Sequence, residues 1–312
     1  MAMKNFGKIG VLMGGPSSER EISLKSGKAV YQGLKSIGID AVAVDIKTAG
    51  AAENSALLKA SKIDCAFLAL HGWFGEDGQI QEILEGLKMP YTGSGPQASR
   101  IAMDKAASRN VFLKANLTIP RAEVLQKGNH RGKKYNFEQL GLPLVVKPAS
   151  QGSSVGLSII DRQDQFSAAL DLAFQYEDKV LIEEYIPGRE LTVGILDEEA
   201  LPLIEIVPKN RFFDFQAKYQ SGMSEYIVPA RVAPQIAKLA QAKALLAHQI
   251  LGCRDFSRVD IILRQDNTPF ILEVNTIPGF TETSLLPKAA LASGIDFTGL
   301  CVKLIELAYE KA

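Results

Sequence analysis

Two apolar runs, Arg258-Val259-Asp260-Ile261-Ile262-Leu263 and Pro269-Phe270-Ile271-Leu272-Glu273-Val274-Asn275, flank the polar turn Arg264-Gln265-Asp266-Asn267 and predict an antiparallel hairpin. Alternate side chains of a strand share a face. Glu273 and Asn275 therefore point one way with Val274 behind them, and Asp260 on the partner strand can face the pair. Two carboxylates and an amide oxygen make a hard, all-oxygen set of the kind that holds Mg²⁺ and leaves positions for substrate phosphates. A solvated polar hairpin face would give the same spacing. The neighbourhood favours a site: Arg258 lies two residues before Asp260 on the same face. Gly279 follows Pro278 past the second strand, where a backbone N–H can approach a ligand closely.

Lys147-Pro148 closes the apolar strand Leu142 to Pro148. The small-residue loop Ala149-Ser150-Gln151-Gly152-Ser153-Ser154-Val155-Gly156 then leads to a return strand, Leu157 to Ile160. No G-K-[ST] follows, so this is not a Walker loop. It still suits phosphate, because small residues expose successive N–H groups, hydroxyls add donors and Lys147 supplies a point charge. A flexible hairpin tip is the plain alternative. Further on, Glu183 and Glu190 bracket an apolar bend through Tyr185-Ile186, as would suit an adenine slot with a carboxylate for ribose hydroxyls. The long polar and aromatic loop Pro208 to Glu225, which contains Arg211 to Tyr219, is expected to be a lid.

The elements that must position these groups follow from the pattern. Lys8 to Met13 is a strand ending in Gly14-Gly15-Pro16. Ser18-Glu19-Arg20-Glu21 matches a capping box ahead of an amphipathic helix to about Ile37. Strands at Asp40 to Asp45 and Asp64 to Leu70, with a helix at Ala51 to Ala60 between them, predict a parallel sheet wrapped on both faces. Glu19 and His71 then fall at the carboxyl edge of that sheet, where α/β folds bind ligands. Met89 to Pro96 reads as a boundary, and Gln97 to Ala115 as one helical stretch. Further strands are expected at Ala122 to Leu125, Lys179 to Glu184, Leu191 to Leu196 and Leu201 to Ile206, with long helices at Ala233 to Leu251 and Asp296 to Lys311.

The 312 residues are too many for one compact core, and 46% hydrophobic with 22% charged residues describes a globular protein. Lys+Arg and Asp+Glu both total 35, which argues against nucleic acid or an anionic membrane as the main partner. Cys65, Cys253 and Cys301 lie too far apart in sequence for a metal motif and read as reduced core thiols of a cytoplasmic protein. His71, His130 and His248 are equally scattered, so no zinc site is expected, and no membrane helix is expected either.

Taken in order, these segments resemble the ATP-grasp enzymes, and among them the D-alanine–D-alanine ligase family. The segments are Gly14 to Glu21, His71 to Gly78, Tyr91 to Gly95, Met103-Asp104-Lys105, Lys147-Pro148 with Gly152 to Gly156, Ala217-Lys218-Tyr219 and Glu273 to Gly279. Phe215-Gln216, where that family more often has Tyr-Glu, and Trp73 depart from the pattern. The resemblance implies a mixed α/β and α+β chain of three domains: an N-terminal parallel α/β domain (1–96), a central ATP-grasp subdomain (97–182) and a C-terminal antiparallel-sheet catalytic subdomain (183–312). It implies ATP and two Mg²⁺ (or Mn²⁺) as cofactors, D-alanine as substrate and a homodimer.

By the same resemblance Asp260, Glu273 and Asn275 would hold the metals, while Lys105, Lys147, Ser153, Ser154 and Lys218 would contact the phosphates. Glu183, Tyr185, Ile186 and Glu190 would serve adenosine. Glu19 and His71 would bind the first D-alanine's ammonium, Arg258 and the Gly279 N–H would form an oxyanion hole, and Ser284 with Leu285 would take the second carboxylate. Ser153 and Tyr219 would link to Glu19. A ligase making D-alanyl-D-lactate is the nearest rival, and a non-catalytic nucleotide-binding regulator the rival from another class.

Overall fold

The computed structural model describes residues 5–128, 135, 137–152, 155–208 and 224–311. Strands β1 (Ile9–Gly14), β2 (Ala41–Ile46) and β3 (Cys65–Leu68) form a parallel sheet in the order β2-β1-β3. Every residue of β1 is buried, as a central strand covered on both faces requires. Helices α1 (Arg20–Ser36), α2 (Ala51–Ser61) and α3 (Gln79–Gly86) follow the three strands in turn.

Two local expectations are corrected. The capping box at Ser18 does not form: Glu19 is the N-cap residue of α1 and makes no side-chain cap bond. Ser17 is anchored instead, its hydroxyl donating to the His71 carbonyl at 2.6 Å and accepting the Glu19 N–H at 3.2 Å, which leaves Ser18 exposed. The single helix expected over Gln97 to Ala115 is two, α4 (Pro96–Met103) and α5 (Lys105–Lys114). Asp104 adopts extended backbone between them, and its Oδ1 accepts the N–H groups of Ala106 and Ala107 at 2.9 and 3.1 Å. An aspartate that satisfies first-turn donors starts a helix, so it competes with continuing the previous one.

A second, antiparallel sheet runs β4-β7-β5-β6, from β4 (Ala122–Gln126), β5 (Leu144–Pro148), β6 (Ser158–Ile160) and β7 (Lys179–Glu184). It carries α6 (Phe137–Leu140) and α7 (Phe166–Ala173), and has its own core of Leu144, Val146, Ile160, Leu170 and Ile182 among others. The third sheet is built from β8 (Gly188–Leu196), β9 (Glu199–Ala200), β10 (Ile204–Pro208), β11 (Ser224–Ile227), β12 (Phe256–Arg264) and β13 (Pro269–Asn275), in the order β11-β10-β8-β12-β13 with β9 on β8. Helices α8 (Pro234–Ile250), α9 (Leu285–Ala292) and α10 (Phe297–Glu310) complete the chain.

One apolar cluster unites the first and last segments of the chain. Ile9, Val11 and Phe67 of the parallel sheet share it with Phe256, Phe280, Leu286 and Leu304. The Phe280 ring packs edge-on against Phe67 at 5.4 Å and Phe256 at 6.1 Å between centroids. Cys65 and Cys301 are free thiols in the same cluster. No described helix is long and apolar enough to cross a membrane.

Candidate active site

The hairpin forms as expected, and its register sets the centre of the site. Arg258 stands opposite Asn275 and Asp260 opposite Glu273. Arg258 donates to Asp260 through Nε at 2.9 Å and Nη2 at 2.8 Å, a two-point geometry that only a planar guanidinium provides. Thr192 of β8 donates to the same carboxylate at 2.7 Å, and the Asn275 Nδ2 at 3.2 Å. Since that amide spends its NH₂ on Asp260, its oxygen is the atom left for a ligand. Glu273 Oε2 lies 3.2 Å from Lys105 Nζ, which also donates to the Gln151 carbonyl at 2.9 Å. Hard oxygens balanced by two fixed cations fit Mg²⁺ or Mn²⁺.

The sequence pattern missed a bulge. Asp260 pairs with Glu273 and Ile261 with Ile271, so Leu272 is the extra residue. Regular alternation would put Leu272 and Glu273 on opposite faces, yet both line one cleft of about 550 Å³ between the second and third sheets. An apolar wall and a carboxylate are thus placed side by side.

Lys105, Lys147, Glu183, Tyr185, Ile186, Glu190 and Asp260 line the same cleft. Lys105 is aimed by its helix start. Asp104 caps α5 and takes the Lys179 ammonium at 2.6 Å, while the Lys105 N–H donates to the Ala149 carbonyl at 2.9 Å. Lys147 Nζ meets Glu183 at 2.5 Å, and Arg109 approaches Glu183 at 3.3 Å while donating to the Pro120 carbonyl at 2.6 Å. Glu183 is therefore buried between two cations, a pairing the sequence alone does not reveal, because Arg109 sits mid-helix without a motif.

At the edge of the parallel sheet, His71 is buried. Its Nδ1 lies 3.0 Å from the Ile277 carbonyl, which can only accept, so Nδ1 carries the proton and Nε2 accepts from the Ser26 hydroxyl at 2.8 Å. Burial lowers its pKa below the usual 6.5, with Arg258 acting the same way against an opposing pull from Glu19, so the ring is neutral at pH 7. Both ring nitrogens are engaged within the protein.

Glu19 Oε1 is 2.8 Å from where a Cβ on Gly152 would sit, so the start of the small-residue loop lies against it. Ser153, Ser154, Lys218 and Tyr219 are outside the described residues, as is His130. Ser284 is the N-cap of α9, with its hydroxyl 3.0 Å from the Thr281 N–H and 3.3 Å from a Cβ position on Gly279; Leu285 opens the helix. Helix N-termini favour carboxylates. Glu76, unassigned from sequence beyond its place in an acidic loop, accepts the Gly72 N–H at 2.8 Å. Removal from water, and then the neighbouring Glu19, push its carboxyl up to about 8, so it holds a proton at pH 7.

Residues 111–306 match the family described as D-ala D-ala ligase C-terminus, and residues 47–94 its N-terminus counterpart. The D-alanine–D-alanine ligase of Trichlorobacter lovleyi is 50% identical over 94% of this chain and 92% of its own length. That of Geotalea uraniireducens is 47% identical over 96% and 95%. The crystal structure of the Bacillus anthracis D-alanine–D-alanine ligase complexed with ATP is similar with a TM-score of 0.85 and 33% identity over 98% of both chains. VanG D-Ala:D-Ser ligase from Enterococcus faecalis gives 0.84 and 30% over 97% of this chain and 99% of its own. Aligned nearly end to end with these relatives, and carrying the cross-strand carboxylates, the lysines and the cleft in one ATP-grasp fold, this chain belongs to the D-alanine–D-alanine ligase family.

Proposed function

We propose that the cleft joins two D-alanines into D-alanyl-D-alanine for peptidoglycan precursor synthesis, at the expense of ATP. The first D-alanine's carboxylate oxygen attacks the γ-phosphorus and ADP leaves. The second D-alanine's amine then attacks the acyl carbon, phosphate departs with the bonding pair, and the amine loses its proton. The observation that carries this reading is the Asp260–Glu273 cross-strand pair with Lys105 and Lys147 on one cleft.

Asp260, Glu273 and Asn275 would hold two Mg²⁺ (or Mn²⁺), which would supply neutralisation of the phosphate charge. Lys105 and Lys147 orient the phosphates, with Ser153, Ser154 and Lys218 from segments not described. Tyr185, Ile186 and Leu272 wall the purine, and Glu183 and Glu190 serve adenine and ribose. Glu19 binds the first ammonium, with the neutral His71 ring beside it and Ser153 and Tyr219 linked to it. Arg258 and the Gly279 N–H stabilise the oxyanion. Ser284 and Leu285 receive the second carboxylate.

The reading also includes a three-part division at 1–96, 97–182 and 183–312, a cytoplasmic homodimer, and no nucleic-acid or membrane partner. ADP release measured with and without D-alanine, with products separated by chromatography, tests the core of it. D-Alanine-dependent ADP release with equimolar dipeptide is expected. Release independent of D-alanine favours a nucleotide-binding regulator with idle hydrolysis, and ester formation from added D-lactate favours the ester-forming rival.

A further inference from the structure

We propose that Ser26 on α1 is a positioning residue for the reaction, fixing the loop that carries the Gly279 N–H. The inference rests on the reading that this N–H faces the reacting acyl oxygen. The segment Thr276 to Phe280 lies beyond the end of β13 and has no strand partner. Polar contacts from the other end of the chain hold it: His71 Nδ1 donates to the Ile277 carbonyl, the Ile277 N–H donates to the Glu76 carboxyl, and the Phe280 N–H donates to Ser26 Oγ at 3.1 Å.

A serine hydroxyl has one proton. Because Ser26 Oγ accepts from Phe280, that proton is free for His71 Nε2, 2.8 Å away. The same hydroxyl thus anchors the loop after Gly279 directly and, by fixing the imidazole ring, anchors it before Gly279 as well. Ser26 is 1% and His71 3% exposed, which leaves little access for water to replace either bond. Deleting the hydroxyl leaves the Phe280 N–H unpaired and the ring free to tilt, and both relax the strand-end geometry of the Gly279 donor. Small displacements of that kind act on rate more than on substrate affinity.

Ser23, one turn earlier on the same helix, supplies a matched control. It is fully buried, accepts the Gly14 N–H at 2.8 Å and donates to the Ala69 carbonyl at 2.7 Å, so its hydroxyl is hydrogen-bonded elsewhere than the Thr276 to Phe280 loop. Ser26→Ala, Ser23→Ala and Arg258→Ala are compared for melting temperature, kcat and KM for ATP. Both serine variants are expected to melt lower by similar amounts. Only Ser26→Ala should lose kcat, by ~10- to 100-fold, less than the ~10²- to 10³-fold typical of deleting an oxyanion donor outright. Its KM for ATP should stay within about twofold of native, less than the change in kcat.

If Arg258→Ala loses kcat while Ser26→Ala keeps it, the positioning role is wrong and the oxyanion hole stands. If Arg258→Ala keeps kcat, the oxyanion reading falls and takes this inference with it. If Ser23→Ala loses as much kcat as Ser26→Ala, the effect belongs to the helix in general and Ser26 has no special role.

Discussion

Glu273→Gln removes one charge from the cross-strand pair and leaves its volume nearly unchanged. Turnover is expected to fall by ~10²-fold or more with a raised Mg²⁺ requirement, since a neutral amide is a poor ligand for a hard cation; near-native turnover at ordinary Mg²⁺ would remove Glu273 from the metal set. Glu76 makes a separate forecast. Its folded-state pKa, about 8, is raised above the unfolded value of 4.5, so its contribution to stability is full below the unfolded value and is lost as pH rises through 8. His71 slopes the other way, because its folded pKa is depressed, but it is neutral in both states above pH 7. Between pH 7 and 8.5 the native melting temperature should therefore fall with a component that Glu76→Gln abolishes; parallel curves for the two proteins would contradict it. That Asp260, Glu273 and Asn275 meet on one hairpin was legible because a strand's period of two is written in the sequence. Ser26 and Glu76 were not, because their partners stand as much as 254 residues away and are chosen only when the sheets meet.

At the scale of elements, Asp104 does most to aim a functional side chain. It ends α4, caps α5 and pairs with Lys179, and so places Lys105 at the first helical position beside Glu273. Asp104→Ala should remove the cap, worth about 1 kcal/mol, and raise KM for ATP more than it lowers kcat; calorimetry and steady-state kinetics check the two parts, and an unchanged KM would separate Lys105 from its cap. Most strands of the three sheets were readable from apolar runs; the short β9 and β11, the latter running out of the stretch read as a loop, were not. The break at Asp104 was not, since aspartate is tolerated on a helix surface and its capping geometry shows only in the backbone. Helices α7 and α9, eight residues each, give too few turns for an apolar period to stand out. The bulge at Leu272 leaves no mark in residue type.

For the whole molecule, the parallel sheet and the C-terminal segment share one apolar core. Beyond the shared core, buried Asp255 ties the two: its Oδ2 accepts the Gly93 N–H at 2.8 Å and its Oδ1 the Lys311 ammonium at 2.6 Å. A fragment of residues 1–96 would expose the face of Cys65 and Phe67 that α10 and Phe280 cover, and is expected to lack cooperative structure by circular dichroism and calorimetry. A sharp melting transition for that fragment would instead show a first domain that folds alone. The stretch Met89 to Pro96, expected from sequence as a boundary, pairs with the first sheet through the Ala66–Tyr91 bridge and meets Asp255 through Gly93, and composition does not reveal that the last helix returns to cover that sheet.

That return gives the molecule a chemical clock. Cys65 sits on β3 and Cys301 on α10, near opposite ends of the chain, and burial pushes the Cys65 thiol up to about 12 and the Cys301 thiol higher than usual. Neither can form a thiolate or meet a reagent until their common core opens, so the rate of alkylation counts openings. If the ends of the chain separate as one event, the two sulfurs should be modified at the same rate under native conditions, and mass spectrometry of partly labelled protein would find doubly modified molecules in excess of singly modified ones. Unequal rates would mean that α10 peels away while the parallel sheet stays closed.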